Sequence, residues 1–140
     1  MPTPDPTKRR RFPHILKPDV PVWQRFLAAY QHRYTHIDYD VRVGRGRHPG
    51  DEFQPATIDL AIQLSMRRID AVGHSPTRLD IIEVTTDAGL TALGQCLAYP
   101  ILYRQTYAPT IEIRPLLVAA RFQPDIQQVF ESLQIPAILV

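Results

Sequence analysis

Residues 79–86, LDIIEVTT, constrain this chain more than any other stretch. The run is largely apolar and rich in β-branched residues, the pattern of a strand buried on both faces at the centre of a sheet. A strand of that kind has to be covered above and below, which points to helices packed on a sheet. Within Ile81–Val84, one carboxylate, Glu83, interrupts the apolar run. A buried acid has to be satisfied by something, here a neighbouring arginine or Thr85 in the plainest case.

The flanking segments supply the other layers. DVPVWQRFLAAYQHRYTH opens with Asp19 at the N-cap and Pro21 near the first helical position, and Trp23, Phe26, Leu27, Tyr30 and Tyr34 follow at helical spacing. IDYDVRVG alternates as a strand, with Ile37, Tyr39, Val41 and Val43 on one face. GRGRHPGDEFQP is a loop by its glycines and prolines, with residues 44–55 at the tip of a hairpin. In IDLAIQLSMRRIDAVG, the alternation of Leu60, Ile62, Leu64 and Met66 suits a strand; Ile69, Ala71 and Gly73 resume on the other parity after a break near Arg67–Arg68.

After the central strand, DAGLTALGQCLAYPILYRQTY reads as a long helix with Leu90, Leu93, Leu97 and Ile101 along one stripe and Pro100 kinking or splitting it. IEIRPLLVAARF is a strand, PDIQQVFESLQ a short helix facing inward with Ile126, Val129, Phe130 and Leu133, and IPAILV a last strand. The order is αβββαβαβ. It predicts an α/β (α+β) domain over residues 20–140, a mixed sheet of four to five strands flanked by helices, with parallel strands joined across the later helices.

Residues 1–19 are expected to form a separate, extended arm. Six of the fourteen prolines fall within the first 21 residues, which excludes helix and ladder strand there. Residues 1–20 hold Lys8, Arg9, Arg10, Arg11 and Lys17 against Asp5 and Asp19, whereas residues 21–140 carry 11 arginines against 12 acids. The positive field therefore sits on the arm, where it either touches nucleic acid or an acidic protein surface, or acts only as a solvated tail. No apolar run approaches the roughly 20 residues of a membrane span, and the N-terminus lacks the apolar region of a secretory signal, so a cytoplasmic or virion location is expected. The single cysteine, Cys96, excludes an internal disulfide and reads as packing on the long helix.

Together, the element order and the segments RRIDAVG and DIIEVTT resemble the PD-(D/E)XK nuclease-like fold over roughly residues 20–121. The resemblance implies Asp70 as the acid on the second core strand, Glu83 as the acid on the third, and Gln95 as the glutamine on the following helix, with Tyr99 four residues on. In an active member these residues hold Mg²⁺ or Mn²⁺, because hard cations take carboxylate oxygens and lower the pKa of an attacking water. The family's lysine falls at Thr85, which hydrogen-bonds but carries no charge. Lys8 and Lys17 are the only lysines, and arginine is a poor base. The first helix, VPVWQRFLAAYQHRYT, also lacks the acid that members often add.

These departures lead to the first expectation, a non-catalytic structural or assembly protein with a nuclease-like fold and no cofactor. Such a chain resembles a ring-forming connector component of a bacteriophage particle, homo-oligomeric and held to its neighbours by the N-terminal arm and the loop 44–55. A metal-dependent endonuclease using Asp70, Glu83, Gln95 and Thr85 is the second. A nucleic-acid-binding module using the basic arm with Arg42, Arg45 and Arg47 is the third. The glycine-rich GRGRHPG lacks the lysine and context of a phosphate-binding loop. His32 and His36, four apart, read as a helix end rather than a metal pair. No nucleophilic serine motif is present.

Overall fold

The computed structural model describes residues 12–140. A 3₁₀ turn, Lys17–Asp19, leads into α1, Val20–Tyr30, followed by β1, His36–Val43, α2, Pro55–Ser65, β2, Arg67–His74, and β3, Arg78–Ala88. Then come α3, Leu90–Tyr107, β4, Glu112–Phe122, α4, Ile126–Ser132, and β5, Ala137–Leu139. The five strands form one sheet in the order β1-β2-β3-β4-β5. β1, β2 and β3 run antiparallel in succession, while β3, β4 and β5 are parallel and joined through α3 and α4. The expected mixed α/β sheet is thus present, with LDIIEVTT in its central strand: Leu79 to Val84 are all buried.

Two layers cover the sheet. On one face Val22, Trp23, Phe26 and Leu27 of α1 pack on Ala71, Ile82, Val84, Leu116 and Val118. On the other, Ala92 and Cys96 of α3 and Ile126 and Phe130 of α4 pack on Ala88, Leu117 and Ala119, while Tyr99 and Tyr103 cover Ile69, Val72, Leu79 and Ile81. Pro115 is tolerated inside β4 because it pairs with Ile81 of β3 at a level that β5, starting its register at Leu117, does not reach. Its missing N–H therefore takes nothing from a ladder.

Several local expectations need correcting. Leu60–Ser65 is helical, not strand: α2 is inserted between β1 and β2, so residues 44–54 connect a strand to a helix and are not a hairpin tip. α2 buries none of its residues. α3 runs unbroken through Pro100, and its inward face is Ala92, Cys96, Tyr99 and Tyr103, whereas Leu90, Leu97 and Ile101 of the expected stripe are exposed. In α4, Ile126 and Phe130 are buried but Leu133 is exposed. Asp19 makes no side-chain cap on α1.

The arm boundary also moves. Phe12 and Ile15 are buried in the α1-side core, with the Phe12 ring 5.5 Å from that of Tyr39. Residues 12–19 therefore belong to the domain, and Lys8, Arg9, Arg10 and Arg11 lie outside the described residues. Truncating a buried phenylalanine removes its transfer energy and leaves a cavity, so Phe12→Ala is expected to lower stability by about 3 kcal/mol. Urea denaturation of the full chain measures it; a change within about 0.5 kcal/mol, the range of a surface substitution, would return Phe12 to a detached arm.

Candidate functional site

Where β2 and β3 part, the sheet builds a polar site. Their ladder pairs His74 with Leu79 and continues to Ala71 with Ile82, where it stops. One step further the register would set Asp70 opposite Glu83. Instead of a backbone partner, Val84 N donates to Asp70 Oδ2 at 2.9 Å. The side chain of Asp70 thus replaces a ladder bond at the point where the strands diverge. Both acids are almost fully buried, at 8% and 3% exposed.

Glu83 is the anomalous group. Its Oε1 is buried without a hydrogen-bond partner among the described residues. Burial, and then the neighbouring charge and hydrogen bond of Asp70, raise its pKa well above the ordinary glutamate range. Asp70 is raised as well, chiefly by burial, against the opposing effects of the Val84 N–H and of its hydrogen bond with Glu83.

Asp80, three residues earlier on β3, shows how this fold satisfies a buried acid. At 2% exposed, it accepts from Tyr34 Oη at 2.6 Å, from Arg78 Nε at 2.9 Å, and from Arg114 Nε and Nη2, both at 3.1 Å. Gly73, its register partner, leaves room for Tyr34, whose ring atoms lie within 2.5–2.8 Å of where a Cβ would stand. The neighbouring arginines are used elsewhere. Arg78 serves Asp80, and Arg68 makes a two-pronged bond to Asp40 at 2.5 and 2.6 Å.

A pocket of about 500 Å³ opens over the pair. Asp70, Glu83, Thr85 and Asp87 line it from the sheet, Gly89 to Ala92 and Gln95 from the start of α3, Gln123 from the end of β4, and His14, Leu16 and Asp19 from the N-terminal segment. Gln95 hydrogen-bonds the hydroxyl of Tyr99, whose pKa is raised by burial and by the Glu83 charge. Cys96, behind the pair, is pushed up to about 12 by burial and the nearby acids, which makes it packing and not a nucleophile.

The acid missing from the first helix is supplied one residue before it. Asp19 Oδ1 accepts from Thr86 N and Thr86 Oγ1, both at 2.8 Å, which docks the start of α1 on β3 and brings a third carboxylate to the pocket. His14, whose Nε2 is 3.8 Å from Asp70 Oδ1, is the only basic side chain lining the pocket among the described residues. Both residues stand in the proline-rich stretch expected to be arm. The signal in the sequence was an acid immediately preceding α1, assigned there to a cap. By contrast, Arg42, Arg45 and Arg47 do not line the pocket: Arg42 ends β1, while Arg45 and Arg47 are exposed on the loop braced against α2 through Arg47 N and Ser65 Oγ.

The site thus brings together Asp70, Glu83, Thr85 and Gln95 as expected, and adds Asp19 and His14. Among the described lining residues, Asp19, Asp70 and Glu83 stand with one imidazole, and Asp87 at the rim pairs with Arg121, an excess of negative charge that favours a cation. The donor set fits a hard divalent ion: carboxylate oxygens, one with no other partner, in a polar pocket open to water. Comparison of the chain with protein-family models, curated proteins and solved structures found no match.

The two buried acids on β3 should respond oppositely to neutralisation. Asp80→Asn leaves two arginines unanswered and is expected to cost about 2–4 kcal/mol. Glu83→Gln, measured without divalent cations at neutral pH, should instead stabilise by about 1–3 kcal/mol, since it removes a desolvated charge. Because the folded pKa of Glu83 is raised, the folded chain binds more protons than the unfolded one above about pH 4.5, so wild-type stability should fall as pH rises from there towards 8. Thermal melts of wild type and Glu83→Gln across that range test both; parallel pH profiles would show that Glu83 is not under strain.

Proposed function

We propose that this domain is a divalent-cation-dependent phosphodiesterase of the PD-(D/E)XK type that cleaves nucleic acid. The observation that supports it best is the contrast on β3: Asp80 is saturated by two arginines and a tyrosine, while Glu83, beside Asp70, is buried with an oxygen left open. A carboxylate pair whose basic neighbour is a single imidazole, that of His14, gains a stronger partner in Mg²⁺ or Mn²⁺. Asp70 and Glu83 would hold the ion, with Asp19 beside them. When bound, the ion supplies charge for the phosphate oxygens and acidifies a water.

The chain's own groups provide the remaining parts. The first turn of the 18-residue helix α3 lines the same pocket, so its free N–H groups and positive dipole end can orient a phosphate next to the carboxylates. Gln95 offers an amide for positioning, and Thr85, in the lysine's place, a hydroxyl. Among the described residues, His14 Nε2 is the basic atom at the pocket that could accept a proton from water.

A second function is favoured by a different feature. α2 buries no residue and exposes Leu60 and Leu64, and α3 exposes Leu90, Leu97 and Ile101. Apolar surface of this extent suits a non-catalytic assembly module, a homo-oligomeric connector in which the carboxylate site has no hydrolytic role.

One experiment separates the two. Linear and supercoiled DNA, and single-stranded RNA, are incubated with the full chain in Mg²⁺ or Mn²⁺. Cation-dependent cleavage is expected, reduced by about 10²-fold or more in Asp70→Asn and Glu83→Gln, and by about 10²-fold in His14→Ala. Intact substrate in both metals, from a chain that sediments as a closed oligomer, would replace the enzyme with the assembly module.

A further inference from the structure

A second cluster of ligand-type side chains lies away from the carboxylate pocket, at the other end of β2. β1 is an edge strand, and its first residue, His36, pairs in register with the last residue of β2, His74. Their imidazoles stack with centroids 3.9 Å apart and planes 15° from parallel. Asp38, two residues along β1 and therefore on the same face, places Oδ2 2.8 Å from His74 Nε2. One nitrogen from each histidine and one oxygen of Asp38 lie within 4.8 Å of one another.

We propose that His36, His74 and Asp38 form a binding site for a single divalent first-row transition metal ion, of which Zn²⁺ is the type. Two imidazoles and one carboxylate are the donor set that selects such ions over Mg²⁺, which prefers oxygen alone. Three protein ligands with water in the remaining positions make an open site, and the exposure of Asp38 and His36 leaves room for that water. Side-chain rotation is needed: the stacked rings lie 15° from parallel and must turn to converge their nitrogens on one ion, and ligand atoms up to 4.8 Å apart must draw together. Metal–nitrogen and metal–oxygen bonds of about 2.0–2.2 Å set ligand atoms roughly 3.3 Å apart, so the His74–Asp38 contact opens by roughly 0.5 Å to admit the ion.

An ordinary cross-strand ion pair accounts for His74 and Asp38 but not for His36. That ring is held over His74 and has only a 3.4 Å approach of the Thr35 hydroxyl to its Nδ1. The backbone beneath the cluster is fixed: Thr35 N and Thr35 Oγ1 both donate to the carbonyl of His74, at 2.7 and 3.0 Å. The three ligands thus project from two strands tied together at that point, which limits the ordering needed on binding. The bound ion would staple the start of the edge strand to its neighbour.

The test uses the full chain, stripped with chelator and titrated with Zn²⁺ by calorimetry in millimolar Mg²⁺, which occupies the carboxylate pocket. One Zn²⁺ per chain is expected, with affinity reduced by about tenfold or more in both His36→Ala and His74→Ala and unchanged in Glu83→Gln. Zn²⁺ should also raise the melting temperature of wild type but not of His36→Ala. Circular dichroism reports folding; if His74→Ala does not fold, His36→Ala and Asp38→Asn decide, both at exposed positions. No saturable Zn²⁺ binding to wild type, or equal affinity in His36→Ala, overturns the site. Loss of binding in Glu83→Gln alone would assign the zinc to the carboxylate pair and overturn it equally. None of these outcomes depends on whether the chain cleaves nucleic acid.

Discussion

Two carboxylates in contact, both withdrawn from water, are the interaction around which this domain is arranged. Charge in a medium of low dielectric constant is strongly disfavoured unless it is answered. β3 answers it at Asp80 and fails to answer it at Glu83, within one run of buried residues. The failure sits where the β2–β3 ladder ends, and Asp70 takes up the backbone N–H that the ladder leaves over. Strand divergence, pocket and raised pKa values share that origin: the strands separate, the gap fills with polar groups, and the sheet behind them keeps the dielectric low.

The N-terminal segment closes the site from the far side, and it does so with weak local means. Its eight described residues before α1 contain one 3₁₀ turn and make their hold through Phe12, Ile15 and the Asp19–Thr86 bonds. Asp19 is turned towards β3 because Thr86 offers it both an amide and a hydroxyl, and that leaves the first turn of α1 without its side-chain cap. A cap is worth about 1 kcal/mol. Two bonds from a carboxylate, one of them to an otherwise unpaired strand amide, outweigh it. The same choice brings a further negative charge towards Asp70, which adds to the rise in its pKa.

The sequence was most informative where a residue's burial and its periodicity agree. β3 could be read because six consecutive residues are buried, and α1 because Trp23, Phe26 and Leu27 carry its contacts. α2 was misread because a helix that buries nothing has no core-facing stripe to impress on its sequence, so the chance alternation of Leu60, Ile62, Leu64 and Met66 prevailed. α3 misled for another reason. It lies close on the sheet, which demands small side chains at Ala92 and Cys96 and flat ones at Tyr99 and Tyr103, and so its largest aliphatic residues point away from the core. In the site, Asp70, Glu83, Thr85 and Gln95 were legible through the resemblance carried by RRIDAVG and DIIEVTT. Asp19 and His14 were not, since only the tertiary docking of a proline-rich segment more than 50 residues upstream of Asp70 brings them there.

In a PD-(D/E)XK enzyme the lysine orients and deprotonates the attacking water, and residues 18–140 contain no lysine. Holding a cation needs only the carboxylates, and these are present in excess of what the fold can neutralise. Moving a proton from water needs a base whose pKa lies near neutrality, which excludes every arginine of the domain and also excludes Cys96, pushed up by the same acids. Thr85 fills the lysine's position without its charge. On the proposed function the proton acceptor comes from outside the sheet, and among the described residues His14 is the basic side chain that lines the pocket. The segment that precedes α1 is as much a part of the pocket as the central strand, because it carries Asp19 and His14 there, and on the proposed function activity would depend on its staying docked.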